Sequence, residues 1–251
     1  GVTGCRILNT PRERLIAMLT NSFMPCNGRF PLLIALLSLF FSGGAMLGAA
    51  VGLLALLVFA VCVTLAVSRL LSATLLRGES STFSLELPPY RRPQLGQVLV
   101  RSLLDRTMFV LGRAVTVAAP AGLLIYLMGN LTVGGTTLLA YGAAALDPFA
   151  RALGLDGMIL LAFVLGFPAN EIVLPILLMG YCSTGTLVDS ASLPELRALL
   201  LANGWTETTA LCMILFSLLH FPCGTTTLTL ARETKSVGWT LLGVLLPTTV
   251  G

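Results

Sequence analysis

Between Phe30 and Ser68 the chain runs for 39 residues without one charged side chain. An α-helix crosses a bilayer with about 20 apolar residues, so this run holds one full pass and a shorter apolar element. Composition points the same way. Of 251 residues, 56% are hydrophobic and 10% charged, against about a quarter charged in a soluble domain. The expected fold is all-α, a polytopic transmembrane helical bundle, which excludes a soluble globular enzyme. A secretory signal is not expected, because Arg6, Arg12, Glu13 and Arg14 come first and no small-residue cleavage site follows an apolar core.

The distribution of charge says more than the net value of +4. Between Arg69 and Arg113 seven arginines face Glu79, Glu86 and Asp105. Between Asn130 and Glu207 two arginines face Asp147, Asp156, Glu171, Asp189, Glu195 and Glu207. Basic residues close to spans stay on the cytoplasmic side, which predicts a cytoplasmic 69–113 segment. Lipid is thus one partner. Nucleic acid is not, because the basic residues are spread singly and form no clustered face. The six cysteines contain no C-x-x-C pair, so zinc-ribbon spacing is absent. Cys62 and Cys212, in apolar helix, read as small packing residues.

Along the chain, "PRERLIAMLTNSF" reads as a short amphipathic helix opened by Pro11. Phe30–Phe41 is too short to span, and Ser42-Gly43-Gly44 separates it from a full pass over Ala45–Leu76. Gly48 and Gly52 offer a G-x-x-x-G packing face there. Residues 77–96 form a polar, proline-rich connector. Gln97–Met128 reads as one long helix, with Arg101, Asp105 and Arg106 at its wet end and Arg113 snorkelling. Asn130–Gly157 is expected to be a Gly-rich external loop, and two broken apolar segments follow at 158–182 and 208–231. If both crossed fully, Arg232 and Lys235 would land outside, so one of them is expected to be re-entrant. The apolar stretch from Val237 is short for a span, which suggests truncation at the C-terminus.

Four prolines interrupt these apolar segments. Proline lacks an N–H and leaves the carbonyl four residues earlier without its partner. On that arithmetic Pro25 frees the Asn21 carbonyl, Pro168 that of Val164, Pro175 that of Glu171 and Pro222 that of Leu218. An unsatisfied carbonyl in hydrocarbon costs several kcal/mol, so such backbone survives only inside protein or beside a wet cavity. Transporters use broken helices in this way to hold ions. Here each interruption carries coordinating side chains: Cys26 and Asn27, Asn170 and Glu171, His220 and Cys223. Glu171 is the one acid between Gly157 and Val188, and a carboxylate at mid-helix should face a cavity or a cation. "FMPCNG" at 23–28 and "FPCGT" at 221–225 also resemble each other, as an internal duplication would. Thiol, imidazole and carboxylate together suit a borderline transition-metal dication. Plainer readings stay open. His220 could bond a freed carbonyl, Cys26 and Cys223 could be packing residues, Glu171 could pair with Arg113, and each break could be a simple kink.

At these residues the chain resembles the membrane domain of the ferrous iron transport protein B (FeoB) family, which has paired Gate repeats. The resemblance is carried by "GVTGCRILNTPRERLIAMLTNSFMPCNGRFP", "ELPPYRRPQLGQVLVRSLLDRTMFVLGRA", "GFPANEIV" and "HFPCGTTTLTLARETKSVGW", in the family's order. It implies two Gate-type repeats with broken or re-entrant helices. Residues 1–76 would hold the end of the first repeat and the following helix, 77–96 the connector, and 97–251 a helix with the second repeat. It implies Fe²⁺ transport into the cytoplasm across a bacterial inner (plasma) membrane, with Cys26, Glu171 and Cys223 at the ion. Thr225, Thr226 and Thr227 would pass the ion onward. His220 rests on residue chemistry alone. Implied partners are a GTPase domain or a small Feo-type accessory protein, with room for a homo-oligomer, and GTP only through a domain not in this chain. Departures are Asn170, where the family commonly has lysine, and the absence of any G-x-x-x-x-G-K-[ST] loop. The family's first-Gate Gly-Cys-Asn would fall before residue 1, and its role is not given to Cys5. The chain therefore reads as lacking both ends and as no enzyme itself. Alternatives are transport of another divalent metal or a nucleoside, or a non-transporting membrane scaffold.

Overall fold

Proline is tolerated in the first helical turn, where its missing N–H has no intrahelical use. Pro11 accordingly opens α1 (Pro11–Thr20), which tightens into a 3-10 turn at Asn21–Phe23. The computed structural model describes residues 2–8, 10–41, 46–76, 78, 96, 100, 107–182, 193–220 and 222–250. The expectations for Ser42-Gly43-Gly44, most of the 77–96 connector, Arg101, Asp105, Arg106 and the Arg113 side chain lie outside the described residues. After α1 come α2 (Phe30–Leu36), extended by a π turn over Leu37–Phe41, then α3 (Met46–Ala73) and α4 (Phe109–Asn130). A two-stranded hairpin follows, β1 (Thr132–Val133) and β2 (Thr136–Thr137), with Gly134 and Gly135 both at positive φ as its tight turn requires.

The remaining elements are all helical: α5 (Leu138–Ala152), α6 (Gly157–Leu165), α7 (Val173–Cys182), α8 (Leu193–Ala202), α9 (Glu207–Leu219), α10 (Gly224–Thr234) and α11 (Val237–Val250). Side-chain caps fix several starts. Thr137, Asp156 and Thr206 accept from the backbone N–H three residues on, at 3.3, 2.6 and 3.2 Å. The chain is an all-α membrane bundle. α3 is long and apolar enough to cross a bilayer, and Leu47, Leu54, Leu65 and Leu70 on it are exposed. In water such a face would be untenable; in lipid it is the expected surface.

Polar contacts sort the elements between two ends of the bundle. At the basic end, Arg12 near the start of α1 bonds the Ser72 hydroxyl in the last turn of α3 and the Leu76 carbonyl just past it. Arg14 pairs with Glu233 at the end of α10 at 3.2 Å, and Arg6 reaches the same carboxylate at 2.6 Å. At the opposite end, Phe40 stacks on Trp205 with centroids 6.2 Å apart. Trp205 Nε1 donates to the Tyr181 hydroxyl at 2.8 Å, and that hydroxyl bonds Asp156.

Two segments, 11–41 and 207–234, therefore run from end to end, each interrupted about halfway. Segment 157–182 starts at Asp156 and returns beside it at Tyr181, with Met158 lying against Gly180. It is a helical hairpin that enters and leaves at one end, its tip at 166–170. Within the bundle, then, 157–182 folds back on itself, while 207–234 runs on from one end to the other. Phe30–Phe41 continues, past the break, the path that α1 begins.

One expectation is corrected. Residues 130–157 are not a loop: they form the hairpin and α5, which meets α6 at 109°. The reason lies in Leu139, Ala143, Leu146 and Ala150, a helical stripe that is buried or packs on the core. The main core runs through the bundle and includes Leu19 and Leu71 toward the basic end. Leu33, Leu36, Phe163, Ile176, Leu177, Met213 and Ile214 from α2, α6, α7 and α9 are fully buried in it. A separate small cluster of Val2, Met18 and Leu230 packs between the N-terminal turn, α1 and α10.

Candidate functional site

Each interruption resolves its orphaned carbonyl in its own way. At the first, the backbone leaves the helix at Met24, whose N–H donates to the Asn21 carbonyl at 3.4 Å in place of Pro25. A turn closed by Arg29 N–H on the Cys26 carbonyl at 3.0 Å leaves Cys26 and Asn27 exposed. At the second, the Phe167 N–H takes the Val164 carbonyl at 3.3 Å in place of Pro168. At the third, α9 ends on His220 in extended conformation and Cys223 is the N-cap of α10. The Leu218 carbonyl that Pro222 leaves is taken by a side chain from the first break: Arg29 Nη1 donates to it at 3.0 Å.

The three breaks meet. The Gly224 N–H donates to the Phe167 carbonyl at 2.6 Å, which ties the hairpin tip to the start of α10. Glu171 lies over Gly28 so closely that a Cβ there would stand 2.8 Å from Glu171 Cγ, so a side chain at that position would push the glutamate aside. Asn170 Nδ2 points at Cys26 Sγ from 3.9 Å. Arg29, 3% exposed, also donates to the carbonyls of Ser22 at 3.1 Å and His220 at 3.4 Å.

Cys223 Sγ lies 3.1 Å from Thr225 Oγ1 and 3.3 Å from Thr226 Oγ1, so both threonines face the thiol. His220 is turned elsewhere. Its ring stacks on Phe216 with centroids 5.3 Å apart, meets Phe163 edge-on at 4.8 Å, and faces the Ser217 carbonyl at 3.3 Å through Nδ1. Pro175 is a correction. It is the third residue of α7, preceded by a 3-10 turn at Asn170–Ile172, and a proline in a first turn orphans no carbonyl. Among the described residues no three of the His, Cys, Asp and Glu side chains come together as a metal cage. What the junction offers a cation is sparse: one exposed thiol beside an amide, one thiol among hydroxyls, and a nearby exposed carboxylate.

Comparison with known families shows two matches. The family described as ferrous iron transport protein B C terminus matches residues 53–105, and the Gate family, described as nucleoside recognition, matches residues 111–237. The chain belongs to the ferrous iron transport protein B family. Similar proteins include the Fe(2+) transporter FeoB of Staphylococcus aureus (strain MSSA476), 26% identical over 98% of this chain and 36% of the relative. The FeoB of Synechocystis sp. is 27% identical over 98% of the chain and 39% of the relative, and that of Campylobacter jejuni 25% over 94% and 40%. The chain thus spans little more than a third of the length of these curated relatives. No solved structure matches it. Asn170, Glu171, His220 and Cys223 lie within the Gate match, whereas Cys26 precedes both matched stretches.

Sequence reasoning missed Arg29. The signal was present: it is a lone charge at the end of "MPCNGR", directly before an apolar helix. Glu171 had drawn attention to Arg113 instead. The Phe167 carbonyl and Gly28 were also missed, because only the three-dimensional meeting of the breaks gives them a role.

Proposed function

We propose that this chain is the membrane permease part of a ferrous iron transporter and that Fe²⁺ passes through the junction of the three breaks. The observation that carries this reading is the convergence itself. Cys26 with Asn170, Glu171 over Gly28, and Cys223 with Thr225 and Thr226 come from three distant segments that hydrogen bonds hold together. Conduction needs sites weak enough to release the ion, and a sparse set of two thiols and a carboxylate suits a partly hydrated dication better than a closed cage. The soft thiols favour Fe²⁺ over Mg²⁺ or Ca²⁺. Fe²⁺ enters from the end marked by Trp205 and Tyr181, and the threonines at 225–227 lead it along α10. The basic end, with Arg12, Arg14, Arg232 and Lys235, faces the cytoplasm of a bacterial cell. A GTPase domain or a small accessory protein would act from that side.

The test is uptake of radioactive Fe²⁺ by cells carrying the intact protein. Changing a group that only hydrogen-bonds a metal's ligand already costs about 10–100-fold in affinity, so Cys26→Ser, Cys223→Ser and Glu171→Gln should each reduce uptake at least comparably, with membrane insertion unchanged. Wild-type uptake by all three would overturn the reading. Competition by Mn²⁺, Zn²⁺ and a nucleoside distinguishes the other transport readings, and a protein that moves none of them is a scaffold.

A further inference from the structure

Arg29 stands at the centre of the junction. Its backbone N–H closes the turn on the Cys26 carbonyl at 3.0 Å, and its guanidinium spans to the third break, holding the carbonyls of Leu218 and His220 at 3.0 and 3.4 Å. It is 3% exposed. Cys26 lies three residues before it in the turn it closes, and Cys223 follows by three residues the His220 whose carbonyl it holds, so the fixed positive charge belongs to the junction that carries both thiols.

Capping these carbonyls does not require a charge. A neutral amide would donate to two of them with a smaller desolvation cost, since buried polar groups are far cheaper to bury than ions. A guanidinium adds two things: a rigid fork that reaches several acceptors at once, and a permanent cation. Where the cargo is a dication, that second property has a consequence.

We infer that Arg29 is a resident cation of the transport junction, which braces the third break and opposes the bound metal so that the ion is held loosely enough to leave. This rests on the junction's being the Fe²⁺ site, as proposed above. Coulomb repulsion between a fixed unit charge and a dication several ångströms away persists in a protein interior, where the effective dielectric constant is about 20. Removing the charge should therefore tighten binding, whereas removing a merely structural brace should weaken it.

The experiment measures equilibrium Fe²⁺ binding by the intact protein in lipid nanodiscs under anaerobic conditions, and Fe²⁺ uptake into proteoliposomes. Arg29→Gln, which keeps two donors and loses the charge, should bind Fe²⁺ about tenfold or more tightly, with maximal uptake rate and half-saturating concentration falling together. Arg29→Lys, which keeps the charge and loses the fork, should stay within about threefold of wild-type affinity. Ser22→Asp keeps Arg29 and adds a carboxylate on the residue whose carbonyl it already holds. It should tighten binding as Arg29→Gln does, and it tests the idea even if Arg29→Gln does not fold. Unchanged or weaker binding in Arg29→Gln and Ser22→Asp, or equal tightening in Arg29→Lys, would overturn the inference. A different result bears on the site itself: wild-type Fe²⁺ binding that survives Cys26→Ser and Cys223→Ser would overturn the metal-site reading.

Discussion

The two broken segments, 11–41 and 207–234, carry the same Pro-Cys pair, yet their breaks are held in opposite ways. The 11–41 break satisfies itself: Met24 caps the Asn21 carbonyl, and Arg29 closes the turn on Cys26 from within the same segment. The 207–234 break is held from outside, while the ends of both segments are tied to neighbours. Trp205 bonds Tyr181 at the far end, Arg29 and the Phe167 carbonyl hold the break, and Arg6 and Arg14 hold Glu233 at the basic end. A break that depends on its neighbours can open when they move; a self-capped break is a fixed pivot. The second segment is therefore the element expected to change shape during transport, with the first as its frame.

The largest expected effect separates the two prolines. An interior proline disfavours helix by ~3 kcal/mol, so Pro222→Ala lets residues 218–222 close their own backbone bonds and displaces Arg29. Uptake should fall about tenfold or more, while Pro25→Ala, whose orphaned carbonyl Met24 already serves, should lose less than about threefold. Equal losses would erase the distinction between the two breaks. A smaller effect is expected at the far end. Tyr181→Phe removes the hydroxyl that joins Trp205 to Asp156, worth about 1 kcal/mol. Hydrogen exchange should quicken at the start of α9 and leave α1 unaffected, and loosening of both would count against a selectively tethered second segment. The smallest effect belongs to Glu233→Gln, because ion pairs with exposed partners contribute little and are screened by salt. A slight loss of thermal stability that vanishes in high salt is the expected result, measured by melting the intact protein at two ionic strengths.

Much of this architecture is readable in the sequence, but unevenly. The lipid-facing α3 follows directly from an uncharged stretch, because nothing else satisfies so many apolar side chains and backbone groups at once. Proline makes interruptions readable, since the lost N–H is a local fact. Side of entry is not local. Hydropathy cannot say whether 158–182 or 208–231 turns back; the contact of Tyr181 with Asp156 decides it. Helix α5 was hidden because the glycines in and around it read as loop, although Leu139, Ala143, Leu146 and Ala150 carry a helical period. Arg29 was hidden for another reason. Its partner Leu218 is 189 residues away, and no pattern within either segment announces the pairing. His220 shows the converse case, a residue singled out for rarity whose ring the fold packs against Phe163 and Phe216.

The central claim, that Cys26 and Cys223 serve one ion at one junction, is tested most directly by thiol protection. The intact protein in membranes is labelled with an alkylating reagent with and without one equivalent of Fe²⁺ per chain, and the rate at each cysteine is read by mass spectrometry. Fe²⁺ should slow labelling at Cys26 and Cys223 together, and Cys26→Ser should abolish the protection of Cys223. Protection of one thiol alone, or protection of Cys223 that persists in Cys26→Ser, would contradict a shared site.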